Sequence, residues 1–421
     1  MLSIFAWSNA YARLLESARV AAFKGITGTL TAILLLLIIG FSTTANATAK
    51  TYYVSRNGNN KDGSSWTNAW NELDQIDWGK AAGATVYIDG GASKMTYNTT
   101  LTVNATNGTF TTIKLGTDAG HNGQAVIQGG TSSPLGINLG KSTFVTINGT
   151  KSQGIVVKGH SSDGIYIAPG ANFIILQELL VSNNRGAGVH LAGQEVTLQQ
   201  SIINDNTTNV LMDQQPVAAY NQITTCWIYN SNYSYSSDGV YVNEPNNGIT
   251  SLLTITHSVL GPGLRNAVNY NANLGLTLSD SLLIDSTKNN VIAPQTWDSM
   301  TGITMFQTPL NSKGNAHSSF NLANPPTNAG INRTIVYGGT VTVAAGKKSN
   351  NYQNTQFATK GNTTYLSSTE TDPLFVTDVS SYSNTVAIQT LINTDFSLKP
   401  GSPAQGTGSS VTSVSKLLSQ M

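Results

Sequence analysis

Two stretches of the chain read almost alike: SSDGIYIAPG from Ser161 to Gly170 and SSDGVYVNEP from Ser236 to Pro245. Each sets an aspartate before a glycine and a tyrosine three residues further on. Aspartate, arginine and lysine recur at related places. Asp163 and Arg185 precede two successive apolar runs, with His190 inside the second; Asp238, Arg265 and Lys288 precede three more, beside Tyr241 and Asn269. A guanidinium can fork onto a sugar carboxylate, an aromatic ring can stack on a sugar face, and a lysine can abstract the proton next to that carboxylate. Asp238 would orient the cations or bind a metal. Together these groups would perform β-elimination, with Lys288, Arg265 and Asp238 as the reacting set and Tyr241, Asn269, His190, Tyr166, Arg185 and Asp163 holding substrate. The rival expectation is a set of surface ion pairs between equivalent turns.

What brings such distant residues together is a repeat. Short β-rich runs follow Gly or Asn: GIYI, GVHL, NVLM, GVYV, AVNY and NVIA, starting at 164, 188, 209, 239, 267 and 290. A second series interleaves with them, including IILQELLV (174–181), VTLQQSII (196–203) and LTLSDSLL (276–283). A period in the twenties built of alternating strands describes a solenoid, whose coils bury their apolar sides only by stacking. Ile165, Val189, Val210, Val240, Val268 and Val291 form one inward column, and Ile167, Leu191, Met212, Val242, Tyr270 and Ala293 form another. Tyr166, His190, Leu211, Tyr241, Asn269 and Ile292 form the outward one. Coils lie about 4.8 Å apart, so residues more than twenty positions apart touch. Asn184, Asn206 and Asn232 recur at turns, where stacked amides satisfy polar groups. Glu178, Gln200, Thr225, His257 and Asp280 make a further polar column, with His257 and Asp280 on adjacent coils.

Composition narrows the function classes. Charged residues are 10% of the chain and the net charge is +1, so no basic surface for nucleic acid is indicated. Neutral amides and hydroxyls dominate, a surface suited to sugars and equally to β-turns. The single cysteine, Cys226, lies in the apolar run ITTCWIY and reads as a buried small hydrophobe. Arg13, Arg19 and Lys24 precede the apolar run LTAILLLLIIGF and the small-residue stretch TTANATAK, the pattern of a secretory signal over 1–47 cleaved after Ala45-Asn46-Ala47, with an uncleaved anchor as the alternative. The expected organisation is this signal, a cap over 48–90, main coils over 91–293, an irregular region over 294–333 and final coils with a closing segment over 334–421. Trp70, Leu73 and Ile76 at helical spacing predict a capping helix within 66–81, started by Thr67 or Asn68.

With the repeats, YYVSRNGNNKDGSSWTNAW (52–70), GATVYIDGG (83–91), TDPLFVTD (371–378) and DFSLKPGSPAQGTG (395–408) resemble the opening and closing segments of secreted right-handed parallel β-helix proteins of the pectate-lyase-like superfamily. The resemblance implies an all-β, single-domain solenoid that is secreted or at the cell surface, monomeric and free of the membrane after signal cleavage. Its partner would be an extracellular polysaccharide and calcium a possible cofactor. It does not single out one activity, because the fold hosts lyases, hydrolases, epimerases and non-catalytic adhesins or spacers. Polygalacturonases of this fold carry Asn-Thr-Asp-Gly, a paired Asp-Asp one coil later, Gly-His-Gly and Arg-Ile-Lys. Here Asp238-Gly239 matches only the first turn, and GLRNAV follows in place of the paired aspartates. A polysaccharide lyase is therefore the leading expectation, and a glycan-binding adhesin or structural spacer the alternative.

Overall fold

In the computed structural model, the described residues are 50–130, 133–213, 220–231, 237–244, 252–272, 275–293, 299–308, 318–322, 330–338, 340–343, 352–353, 356–358, 375–379, 382, 387–402 and 404–421. The expected signal segment, 1–47, lies outside them. Among these residues no helix is long and apolar enough to cross a membrane.

Successive coils contribute strands to three long sheets, and within each sheet the interior strands pair in parallel with their counterparts one coil before and after. One coil shows the plan: Asn172–Gln177 in sheet 1, Leu179–Ser182 in sheet 2 and Ala187–Leu191 in sheet 3. The architecture is a right-handed parallel β-helix. The interleaved second series of the sequence is thus two strands, not one. A single residue in the left-handed region bends IILQ-E-LLV at Glu178 (φ 59°), and Gln200, Thr225, His257 and Asp280 repeat that corner with φ from 43° to 53°. The polar column expected at these positions is the corner itself.

The core is apolar because every second side chain points inward. Both inward columns of the first series are fully buried, from Ile165 to Val291 and from Ile167 to Ala293. Observed register reproduces the expected outward column throughout: Tyr166 opposite His190, His190 opposite Leu211, Leu211 opposite Tyr241, Tyr241 opposite Asn269 and Asn269 opposite Ile292. The asparagine turns also stack: Asn184 Nδ2 donates to Asn206 Oδ1 (2.9 Å), and the ladder continues through Asn209 to Asn230. Asn230 takes the place expected for Asn232, which lies outside the described residues.

Within 294–333, Ser299–Thr301, Thr304–Phe306, Ser318–Leu322 and Gly330–Asn332 pair with the preceding coils. Pro294, Pro309, Pro325 and Pro326, which fall in that span, lie outside the described residues. The cap departs from expectation. Trp70 bridges to Val54 in parallel and its N–H donates to the Tyr53 carbonyl, so that stretch cannot be helical. A 3₁₀ turn at Leu73–Gln75 and one helical turn at Trp78–Ala81, capped by Asp77, stand there instead.

The closing segment folds back over the outer face of sheet 2. Phe375, Leu391, Phe396, Val411 and Leu417 pack on outward-pointing Trp227, Val259, Leu282, Ile284 and Phe306. Sheet 2 strands therefore read as continuous apolar runs, because both faces are covered. At the corner column, Asp280 accepts hydrogen bonds from the Ser410 N–H (2.6 Å) and hydroxyl (2.8 Å), and His257 joins Asp280 (2.8 Å) to Gln420 (2.6 Å). Burial pushes the Asp280 carboxyl up, yet the hydrogen bonds from His257 and Ser410 carry it below its usual value. The His257–Asp280 pair is thus a clasp for the chain end. Cys226 is fully buried, and burial pushes its thiol up to about 12.

Candidate functional site

The outer face of sheet 3 gathers the residues singled out by the repeated phrase. Glycine recurs in it for a steric reason. A Cβ on Gly239 would lie 2.6 Å from the Ala267 oxygen, and one on Gly164 would lie 2.7 Å from the Gly188 oxygen. Such contacts are far inside van der Waals range, so only glycine lets the next coil close in. The aspartate recurs because it reaches forward by one coil. Asp163 Oδ2 lies 2.9 Å from His190 Nδ1, and Asp238 Oδ2 accepts from Asn269 Nδ2 at 2.9 Å. His190 and Asn269 each face the tyrosine of the phrase, Tyr166 and Tyr241. The duplication is therefore architecture and side-chain geometry at once.

Around Asp238 the arrangement is dense. The carboxylate is 1% exposed and accepts from Arg265 Nε (2.8 Å), Arg265 Nη2 (2.7 Å), Asn266 Nδ2 (2.7 Å) and Asn269 Nδ2. This fork fixes the guanidinium plane, and the Asp238 hydrogen bond holds the Arg265 pKa above its usual value. Arg265 keeps 40% of its side chain exposed, so its remaining N–H groups can meet a ligand. Lys288 is exposed one coil further on, and its backbone N–H donates to the Arg265 carbonyl at 2.9 Å. Tyr241 and Asn269 lie alongside in register. Asp238→Ala is expected to destabilise the fold by about 2–3 kcal/mol, since three side chains lose a charged acceptor; urea unfolding of the variant checks this.

The second cluster differs from expectation in its pairing. Asp163 pairs with His190, while Arg185 is exposed and joins the preceding coil through its backbone N–H to the His160 carbonyl. His190 is 8% exposed and is clamped on its other side by Asp213 Oδ1 at 2.7 Å. Burial alone would lower the imidazole pKa. The hydrogen bonds with Asp163 and Asp213, and then their charges, outweigh it and hold the ring up to about 9. His190 therefore stays an imidazolium at neutral pH and donates from both nitrogens. Its edge meets the Tyr166 ring, with centroids 5.0 Å apart. Asp213 lies outside the repeated phrase and its outward column, so the repeat does not single it out. Strand alternation from Leu211 to Asp213 would have found it.

A raised folded-state pKa stabilises the protein below the unfolded value of about 6.5 and loses that contribution as pH rises through about 9. Stability is accordingly expected to fall by about 2 kcal/mol over that window, after allowance for solvent screening. Denaturant midpoints measured across it should show the decline in the native protein and a flatter profile in His190→Gln.

The acidic oxygens suit hydrogen-bond donors rather than calcium, which takes six to eight oxygen ligands. Asp238 accepts from three side chains, and Asp163 and Asp213 face the same imidazolium. Among the described residues no group of three or more His, Cys, Asp or Glu is placed to hold a metal ion.

The fold and this face define a parallel β-helix with an ion-paired, partly aromatic strip along one sheet. No protein-family model and no curated protein matches the sequence. Among solved structures, the chain is similar to the pectate lyase Pel9A, with a TM-score of 0.53 and 16% identity over 85% of this chain and 91% of that one. It is also similar to a rhamnogalacturonan lyase (TM-score 0.44, 14% identity, 78% and 91% covered) and to an alginate lyase from Paenibacillus sp. (TM-score 0.36, 11% identity, 67% and 95% covered). At these identities the likeness to Pel9A establishes the fold.

Proposed function

We propose that the protein binds an extracellular acidic polysaccharide on the outer face of sheet 3 and cleaves it by β-elimination. The observation that carries this reading is Arg265, forked in place by buried Asp238, half presented to solvent, and one coil from exposed Lys288. The likeness to a pectate lyase agrees with it at the level of fold. In this reading Arg265 receives the uronate carboxylate, and Tyr241 and Asn269 hold the ring. Lys288 acts as the base that takes the proton from the carbon bearing the carboxylate. That C–H electron pair becomes a double bond to the neighbouring carbon, whose bond to the glycosidic oxygen breaks. The leaving oxygen then takes a proton from water. Charge building on the carboxylate faces a guanidinium that is already oriented, which costs no reorganisation at the moment of reaction.

The test is incubation of the purified protein with a panel of polyuronates, with and without added calcium, while following the ultraviolet absorbance of conjugated unsaturated uronate. A progressive rise supports elimination. A flat trace with measurable binding to the same polymers would replace the lyase by a non-catalytic glycan-binding protein. That second reading is favoured by one feature, the engagement of Asp163, Asp213 and Asp238 in internal pairs. A flat trace without binding would overturn both.

A further inference from the structure

The outer face of sheet 1 differs from the other two: sheet 2 is covered by the closing segment, and sheet 3 carries the ion pairs. Sheet 1 instead presents three parallel columns. The middle one is largely hydroxyl, running Thr112, Thr146, Ile175, Thr197, Gln222, Thr254 and Thr277 at equivalent positions of successive coils. Its neighbour runs Asn148, Gln177, Gln199, Thr224, Thr256 and Ser279 in register. These groups already line up with one another: Gln199 Nε2 donates to Gln177 Oε1 at 2.8 Å, and the Ser279 hydroxyl donates to Thr256 at 3.1 Å.

The third column is aromatic. Phe110 meets Phe144 edge to face at 5.1 Å, and Phe144 stacks on Phe173 at 4.8 Å. Tyr220 stands further along the same edge. Phe110 is 71% exposed and Tyr220 43%, the two most exposed aromatic side chains among the described residues. Phe144 and Phe173 occupy left-handed backbone, with φ of 57° and 55°. Glu195, one coil on, does the same at φ 54°, so the bend belongs to the architecture at this edge. Asparagine or glycine would sit at such a bend at least cost, and a bulky side chain there is an outlier. The chain nevertheless places phenylalanine there twice and leaves it partly exposed. Strain of this kind, at a surface the core does not need, points to function.

We propose that this face is a second glycan-binding surface, distinct from sheet 3, that takes a linear uncharged polysaccharide lying along the helix axis. The ligand is uncharged because the columns offer hydroxyls and amides, with Lys114 and Glu195 as the charged exceptions at their edges. It is a linear polymer because the face repeats in one direction, coil after coil, at about 4.8 Å. The aromatic column meets the apolar C–H side of the sugars, and the amide and hydroxyl columns meet their hydroxyls. The proposal does not depend on the elimination chemistry assigned to sheet 3.

The test is native affinity electrophoresis of the full chain through gels containing hydroxyethylcellulose, galactomannan or soluble β-glucan, with sodium polygalacturonate as the acidic comparison. Retardation by at least one neutral polymer is expected, insensitive to salt. Phe110→Ala combined with Tyr220→Ala should raise the dissociation constant about tenfold. Phe144→Asn with Phe173→Asn should also lose retardation while the thermal midpoint holds or rises, because asparagine accepts the left-handed backbone more readily. Arg265→Ala should leave retardation unchanged, which separates this face from the one on sheet 3. Passage through all three neutral gels without retardation would overturn the proposal. So would retardation that survives both aromatic pairs, or a fall in midpoint with binding intact, which would make the phenylalanines structural.

Discussion

Lys288→Ala is expected to lower the rate of elimination by about 10²- to 10⁴-fold, the usual contribution of a positioned general base, while leaving affinity for the polymer nearly unchanged. The side chain is exposed at the start of its strand, so its removal leaves the core intact and the unfolding midpoint should stay where it was. Arginine at the same place would keep the charge without restoring the rate, because a guanidinium gives up its proton far less readily than an ammonium. Arg265→Lys tests the partner role. It keeps one positive charge but loses the fork on Asp238, so both substrate affinity and rate should fall. The measurement is initial velocity against polymer concentration for each variant, with binding followed separately. A Lys288→Ala protein that eliminates at the native rate would remove lysine from the mechanism.

Phe396→Ala is expected to destabilise the protein by about 4 kcal/mol, within the range for truncating a large buried aromatic side chain. Phe396 is 1% exposed and sits 5.3 Å from the Phe306 ring and 5.4 Å from the Phe375 ring. It joins the closing segment to sheet 2, so the cavity it leaves lies at the seam between them. Opening that seam exposes Trp227, Val259, Leu282 and Ile284, a continuous apolar face on parallel strands. Urea unfolding should show the lower midpoint, and binding of a hydrophobic dye to the variant before the main transition would report the segment lifting away. Phe396→Leu, which keeps most of the volume, should cost less than about 1.5 kcal/mol. Equal losses for the two variants would mean that the aromatic contacts, and not the volume, hold the segment down.

Much of this molecule was legible in the sequence. The solenoid period, both inward columns and the outward line from Tyr166 to Ile292 could be read directly, because a parallel β-helix places equivalent residues of each coil in register and the apolar alternation records that register. The candidate cluster was legible for the same reason: Asp238, Arg265 and Lys288 open successive strands of one sheet. Three things were decided only by tertiary structure. The division of the second series into two sheets depends on single left-handed residues such as Glu178 and Asp280, and ordinary polar residues there carry no sign of the bend. The choice of partners depends on which atoms arrive within about 3 Å, so Asp163 took His190 rather than Arg185, and Asp213 completed a clamp from a second outward position. The covering of sheet 2 depends on contacts between residues more than a hundred positions apart, such as Thr304 with Ser409 and His257 with Gln420. Periodicity is a property of the chain and survives in one dimension. Partnership is a property of distances in space, and only the folded coils create them.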